Sequence, residues 1–147
     1  SDHLALHDRP SITQLRATQS AAAKAYKTAG IAASDVDLAE VHDCFTIAEV
    51  LATEDLGFVG RGLGGTFARE GEGRRNEGSV TINASGGLKS KGHPLGATGT
   101  GQAVEIFKQL RHQVESERQV RDAEIGLTHN VGGSGATCAV HVFGRQR

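Results

Sequence analysis

No run of the chain approaches the ~20 consecutive apolar residues of a bilayer-spanning helix. The opening residues Ser1 to Pro10 are charged where a signal peptide would have an apolar centre. No membrane association is expected, and the expected setting is cytosolic. Cysteine is scarce, with only Cys44 and Cys138 in 147 residues, which excludes a disulfide framework and leaves each thiol a choice between chemistry and burial. Charge of one sign is lacking too, because 16 Lys+Arg against 17 Asp+Glu give a formal net charge of −1. Without a basic run nothing gathers a phosphate backbone, so nucleic acid is not an expected partner. Two prolines and no repeat period exclude collagen or a linker as the source of the 20 glycines. At roughly twice the usual frequency, those glycines point to tight backbone turns beside a ligand. With 37% hydrophobic residues the chain is long enough for one ordinary domain with a core.

Ser11 followed by Gln14 has capping-box spacing, and Ile12, Leu15, Gln19, Ala22, Tyr26 and Ala29 then step by three and four, which predicts a helix over Ser11 to Ala29. Val36 to Val41 reads as a strand leading into His42, Asp43, Cys44 and Phe45. Thr46 and Glu49 form a second capping box opening a helix that Gly57 can close. Residues 57–78 read as a long Gly-rich charged loop with Phe58, Leu63 and Phe67 as its apolar anchors. A short strand over Ser79 to Ile82 precedes a dense Gly-rich stretch, Asn83 to Pro94. A helix with Ala103, Phe107, Leu110 and Val114 on one stripe follows. Strands Glu124 to His129 and Thr137 to Phe143 flank a connection from Asn130 to Gly135, and Cys138, Val140 and Val142 share one face of the second. The order predicts an α/β layer fold with a largely parallel sheet and an antiparallel finish.

Three strand ends carry reactive side chains: His42 with Cys44, His93 in Gly92-His93-Pro94, and His129 with Asn130. A thiol just before a helix N-terminus feels the positive end of the dipole, and a nearby imidazole can exchange its proton, so Cys44 suits a nucleophile or a base; burial as a small hydrophobe is the alternative. Gly87 to Gly92 has phosphate-loop spacing, but His93-Pro94 stands where Lys and Ser/Thr must follow, and no G-x-G-x-x-G opens a helix. His42, Cys44, His93 and His129 lack the spacings of a zinc site, and no metal is expected.

At these residues the sequence resembles a known family. Val41-His42-Asp43-Cys44-Phe45, Asn83-Ala84-Ser85-Gly86-Gly87 through Gly92-His93-Pro94-Leu95-Gly96-Ala97-Thr98-Gly99, and His129-Asn130-Val131-Gly132 are similar to the C-terminal half of thiolases. The resemblance is to the sterol-carrier-protein-X type and its archaeal and bacterial acetyl-CoA acetyltransferase-like relatives. It implies a thiolase-like half with a mixed five-stranded-type sheet in β-α-β-α-β-α-β-β order, the first strand lying ahead of Ser1. It also implies an acyl-CoA C-acyltransferase, by Claisen condensation or its thiolytic reverse. Coenzyme A thioesters would be the substrates, with no covalently bound cofactor.

The same resemblance implies that an N-terminal half, in the same or another chain, carries the nucleophilic cysteine. Other implied partners are a second copy in a homo-oligomer such as a dimer and a small acyl-CoA-binding accessory protein. Among the residues, His93 corresponds to the histidine that activates the nucleophile and donates to an oxyanion, and His42 to the group that positions a water. Cys44 supplies the acid/base thiol, because His129-Asn130-Val131 replaces the family's Cys-x-Gly turn, while Cys138 is structural. Asn83, His129, Asn130, Val131 and Gly132 belong to the oxyanion and turn segments. Ile47, Val50, Leu51 and Phe107 are candidates for core or interface. Two rivals are a retro-aldolase acting on a β-hydroxyacyl-CoA side chain and a noncatalytic half that scaffolds or dimerises. Arg145-Gln146-Arg147 does not match a Ser-Lys-Leu peroxisomal address.

Overall fold

In the computed structural model, which describes residues 1–145, the short run Leu38–Glu40 (β1) is buried at every position and hydrogen-bonded on both sides. It runs parallel to β2 (Thr81–Ile82) and to β3 (Ile125–Gly132), and β3 pairs antiparallel with β4 (Thr137–Gly144). The sheet order is therefore β2-β1-β3-β4. Burial on both faces is why its sequence shows no apolar–polar alternation, and the one acid in it, Glu40, is buried as well. Leu38 joins one core with Ile106, Leu110, Val120 and Ala123, and Ala39 joins the other with Ala22, Val36, Val41, Ala52, Leu56, Phe67, Val80 and Leu127. The α/β layer fold expected from sequence is the fold observed, with four strands in the described sheet, parallel but for the antiparallel finish of β4. The tail reading on Gln146 and Arg147 lies outside the described residues. Among the described residues no helix is long and apolar enough to cross a membrane.

Several boundaries differ from the sequence reading. Helix α1 spans Arg16–Ala29 and does not begin at Ser11. The Ser11 hydroxyl accepts the Thr13 N–H at 3.2 Å, a local turn that competes with helix. The helix start is instead held by Asp55, whose carboxylate accepts the Leu15 N–H at 2.6 Å and the Gln19 side-chain amide at 2.8 Å. Helix α2 is Thr46–Asp55, but Phe45 occupies its cap position without a side-chain bond, and Glu49 serves Asn83 instead of closing a box with Thr46. Gly57, at φ +83°, follows its end.

The 57–78 segment is not all loop: Gly64–Glu70 forms a helix, α3, anchored by buried Phe67. Its first N–H is accepted by Glu54 at 3.0 Å, so its start is fixed by another element. A further short helix, α4 (Gly87–Lys91), lies in the Gly-rich stretch. Helix α5 spans Thr98–Leu110 and stops before Val114; its buried side is Gln102, Ile106, Gln109 and Leu110, whereas Phe107 is exposed. The glutamines hide this face from an apolar-stripe reading because their amides are satisfied internally. Gln102 donates to the His129 carbonyl at 3.0 Å and Gln109 to the Arg118 carbonyl at 3.0 Å. Strand β3 continues through Asn130, Val131 and Gly132, paired with Ala139, Cys138 and Thr137. The connection is thus confined to residues 133–136, where Gly133 and Gly135 have φ +59° and +94°. Cys138, Val140 and Val142 do share the more buried face of β4.

On β3, His129 is wholly buried. Its Nδ1 accepts the His42 backbone N–H at 3.3 Å, which leaves the proton on Nε2, 3.0 Å from the Thr18 hydroxyl of α1. Burial first, and His42 second, push its pKa down to about 3. An unfolded chain binds a proton on this ring below its ordinary pKa of 6.5 while the folded chain refuses it until about 3. Stability is therefore full above pH 6.5 and is lost as pH falls through that window, by about 2 kcal/mol at pH 5. Urea denaturation of wild type and His129→Gln between pH 7 and pH 4 will show a shallower pH slope in the variant. Parallel slopes would show that another group carries the acid sensitivity.

Candidate active site

The carboxyl ends of β1, β2 and β3 point the same way, so the segments that follow them converge at one end of the sheet. From β1 come His42, Asp43 and Cys44. From β2 come Asn83 and, through α4, His93. His129 belongs to β3 itself. The His42 and His93 rings meet edge to face, with centroids 4.9 Å apart and planes at 86°. His42 in turn rests on His129 through its backbone N–H. Structure thus brings together the three histidines singled out from sequence.

His93 Nδ1 lies 2.7 Å from the Thr98 hydroxyl, which donates its one proton to the Pro94 carbonyl at 3.2 Å. Nδ1 must then carry the ring proton, leaving the Nε2 lone pair free. His42 is buried, and its Nδ1 has no partner among the described residues. Burial, followed by the proximity of His93, lowers its pKa, against a smaller opposing pull from Asp43. Cys44 is half-buried and lies two residues before the first residue of α2. Cys138 is also half-buried, and burial pushes its thiol pKa up despite a hydrogen bond from Thr18.

Asn83, at φ +52°, accepts the Val41 N–H at 2.8 Å and donates to Glu49 at 3.1 Å, tying β1, β2 and α2 together behind the histidines. Burial raises the Glu49 pKa, with Asn83 opposing and Asp43 adding to the rise. Asn130 donates to Gln102 at 3.3 Å and packs against Gly99, near the start of α5. Val131 and Gly132 are ladder residues rather than turn residues. An open groove of about 520 Å³, lined in part by Leu95, Gly99, Asn130 and His141, runs beside α5.

Two carboxylates at this end of the sheet escaped the sequence reading. Glu40 is buried at the end of β1, where it accepts the Ser85 N–H at 3.0 Å, the Ser85 hydroxyl at 2.5 Å and the Lys91 ammonium at 3.2 Å. Burial raises its pKa, opposed by Ser85 and Lys91. Asp43 is buried against α4. The available signal was an acid inside an apolar strand pattern, which costs several kcal/mol unless partnered. Among the described residues no group of three or more His, Cys, Asp or Glu is arranged to hold a metal ion.

Comparisons with known proteins agree on the family. Residues 1–145 match the family described as thiolase C-terminal domain-like. The chain is 54% identical over 145 residues to an acetyl-CoA acetyltransferase of Methanothermobacter thermautotrophicus, covering 99% of this chain and 37% of that protein. It is 46% identical over 119 residues to sterol carrier protein 2 of Rattus norvegicus, covering 81% of this chain and 21% of that one. A benzoylsuccinyl-CoA thiolase subunit of Thauera aromatica is 38% identical over 128 residues, with 86% and 33% covered. A solved structure, the Ltp2-ChsH2(DUF35) aldolase, superposes with a TM-score of 0.85 at 22% identity, over 99% of this chain and 37% of that one, and shows the shared fold. The chain spans little more than a third of the archaeal acetyltransferases it matches. It belongs to the thiolase family, as a C-terminal half.

Proposed function

We propose that this half completes an acyl-CoA C-acyltransferase, acting on coenzyme A thioesters together with an N-terminal half that carries the nucleophilic cysteine. The observation that carries the reading is His93: its Nδ1 is held by Thr98 and its Nε2 is left as a base, in edge contact with a buried histidine. In the acylation step, Nε2 takes the proton of the partner-half thiol as that sulfur attacks an acyl-CoA. The departing CoA thiolate takes a proton from Cys44. The Cys44 thiolate then removes the α-proton of acetyl-CoA, and the carbanion attacks the acyl-enzyme carbonyl. A carbon–carbon bond forms, the carbon–sulfur bond to the enzyme breaks, and the imidazolium of His93 returns its proton to the released sulfur. Thiolysis is the same sequence in reverse.

His42 is kept neutral by burial and suits the task of holding a water against the developing oxyanion. A buried nitrogen without a protein partner is the kind of group that an ordered water satisfies. The relatives' greater length supports an N-terminal half as partner. So does the apolar surface flanking the site residues, with Phe45 68%, Ile47 59% and Leu95 83% exposed. On this reading the chain by itself has no transferase activity and self-associates.

Near neutral pH, iodoacetamide will label Cys44 of the full-length protein faster than Cys138. Burial raises the thiol pKa of Cys138 and so slows its reaction. Peptide mass spectrometry reads the two rates, and faster labelling of Cys138 would overturn the assignment. In the same protein, Cys44→Ala will abolish deuterium exchange at the α-carbon of acetyl-CoA while leaving acylation intact. His93→Ala will impair both steps, by about 3 kcal/mol where an oxyanion donor is lost. Unchanged exchange in Cys44→Ala sinks the acid/base role, and cleavage of a 3-hydroxyacyl-CoA without acyl transfer would replace the reading with an aldolase.

A further inference from the structure

Asp43 lies between His42 and Cys44, and the chemistry above leaves it without a task. Its side chain is buried, only 3% of the residue being exposed. One carboxylate oxygen accepts the Leu88 N–H at 2.7 Å, and the other faces the Lys89 N–H at 3.4 Å. These are the second and third residues of α4, whose own cap residue, Gly86, has no side chain to offer. Asp43 therefore caps α4 from a different segment, and a charged acceptor on helix-start N–H groups is stronger than a neutral one. A Cβ on Gly87, at φ +65°, would overlap this carboxylate, so glycine there is what admits it. Helix α4 is five residues long and passes through Gly92 directly into His93. The second tie between these segments, Glu40 with Ser85 and Lys91, holds the two ends of the same stretch.

We propose that Asp43 is a positioning residue whose carboxylate, by capping α4 from the end of β1, sets the separation between the His42–Cys44 segment and His93. The proposal rests on the reading of Cys44 and His93 as working partners. A purely electrostatic role for Asp43 has a distinct outcome. Asparagine keeps an acceptor for the Leu88 N–H while removing the charge, whereas alanine removes both.

The test uses the full-length protein, with kcat and KM for acyl transfer measured alongside ring-to-ring NMR contacts in histidine-labelled samples. Asp43→Ala will lower kcat on the order of a hundredfold, the scale of a reacting group misplaced by about 1 Å, with KM changed less than about twofold. It will also lose the His42–His93 ring contact. Asp43→Asn will keep that contact and stay within about threefold of wild type in kcat, because the shorter bond survives. Gly87→Ala presses on the same carboxylate while leaving Asp43 in place. It will lose at least as much kcat as Asp43→Ala and the same ring contact, because a side chain at φ +65° is strained as well as crowded. Equal losses in the Asn and Ala variants, a loss confined to KM, or a ring contact that persists in Asp43→Ala would each overturn the proposal. If Asp43→Ala does not fold, the Asn and Gly87 variants decide by the same criteria. Full activity in Cys44→Ala would instead overturn the functional reading, and the ring contact would still test Asp43 on its own.

Discussion

Insertion of β1 between two parallel neighbours is the constraint from which the site follows. With only three residues in the strand, every backbone group and every side chain is committed: Leu38 and Ala39 enter opposite cores, and Glu40 takes the last buried position. The parallel register of β1 with β2 and β3 then aims three outgoing segments at the same end of the sheet. Nothing in those segments has to find its neighbours over a long loop. His42 follows Glu40 by two residues and donates its backbone N–H to a ring rooted in the adjacent strand. Histidine pairs at such a junction are a consequence of strand order before they are a matter of side-chain choice.

The helices around this sheet share a device. Three of them begin without a capping side chain of their own and take a carboxylate from elsewhere in the chain. Asp55 of α2 serves the start of α1, Glu54 of α2 serves α3, and Asp43 serves α4. Each bond satisfies orphan helix N–H groups and at the same time fixes one element against another. Local caps would satisfy the same groups without transmitting position. In this fold the capping carboxylates double as tertiary restraints, and Arg61 on both Glu54 and Asp55 extends the network to the segment ahead of α3.

This non-local capping explains what could be read from the sequence and what could not. The strands around Val36, Val80 and Leu127, the cysteine ahead of α2 and the paired face of β4 all follow from period and composition. The start of α1 was misplaced at Ser11 because the side chain that holds its true start, Asp55, lies 40 residues from the Leu15 amide. Helix α3 was invisible for the same reason, since Glu54 reaches it from 10 residues upstream. On α5 the buried glutamines interrupted the apolar stripe, so Phe107 was grouped with residues it does not accompany. At the site, the three histidines were found through their motifs. Asp43 and Glu40 were not singled out: an acid in the strand pattern marks Glu40, but the groups that satisfy the two, Ser85, Lys91 and Leu88, lie 45 to 51 residues away.

Neutrality of the buried histidines links fold and site. His129 cannot bind a proton without giving up either the His42 N–H or its burial, and its depressed pKa keeps it an acceptor down to about pH 3. His42 is held neutral by the same burial and by the ring beside it. A cationic His42 would repel an imidazolium on His93, so neutrality at His42 is what the proton transfers proposed for His93 require beside it. The fold secures that condition by burial rather than by a counter-ion. Asp43 is close enough to pull His42 toward the charged form, yet its oxygens are directed at the Leu88 and Lys89 amides. The carboxylate that could have charged the site is instead committed to holding it in shape.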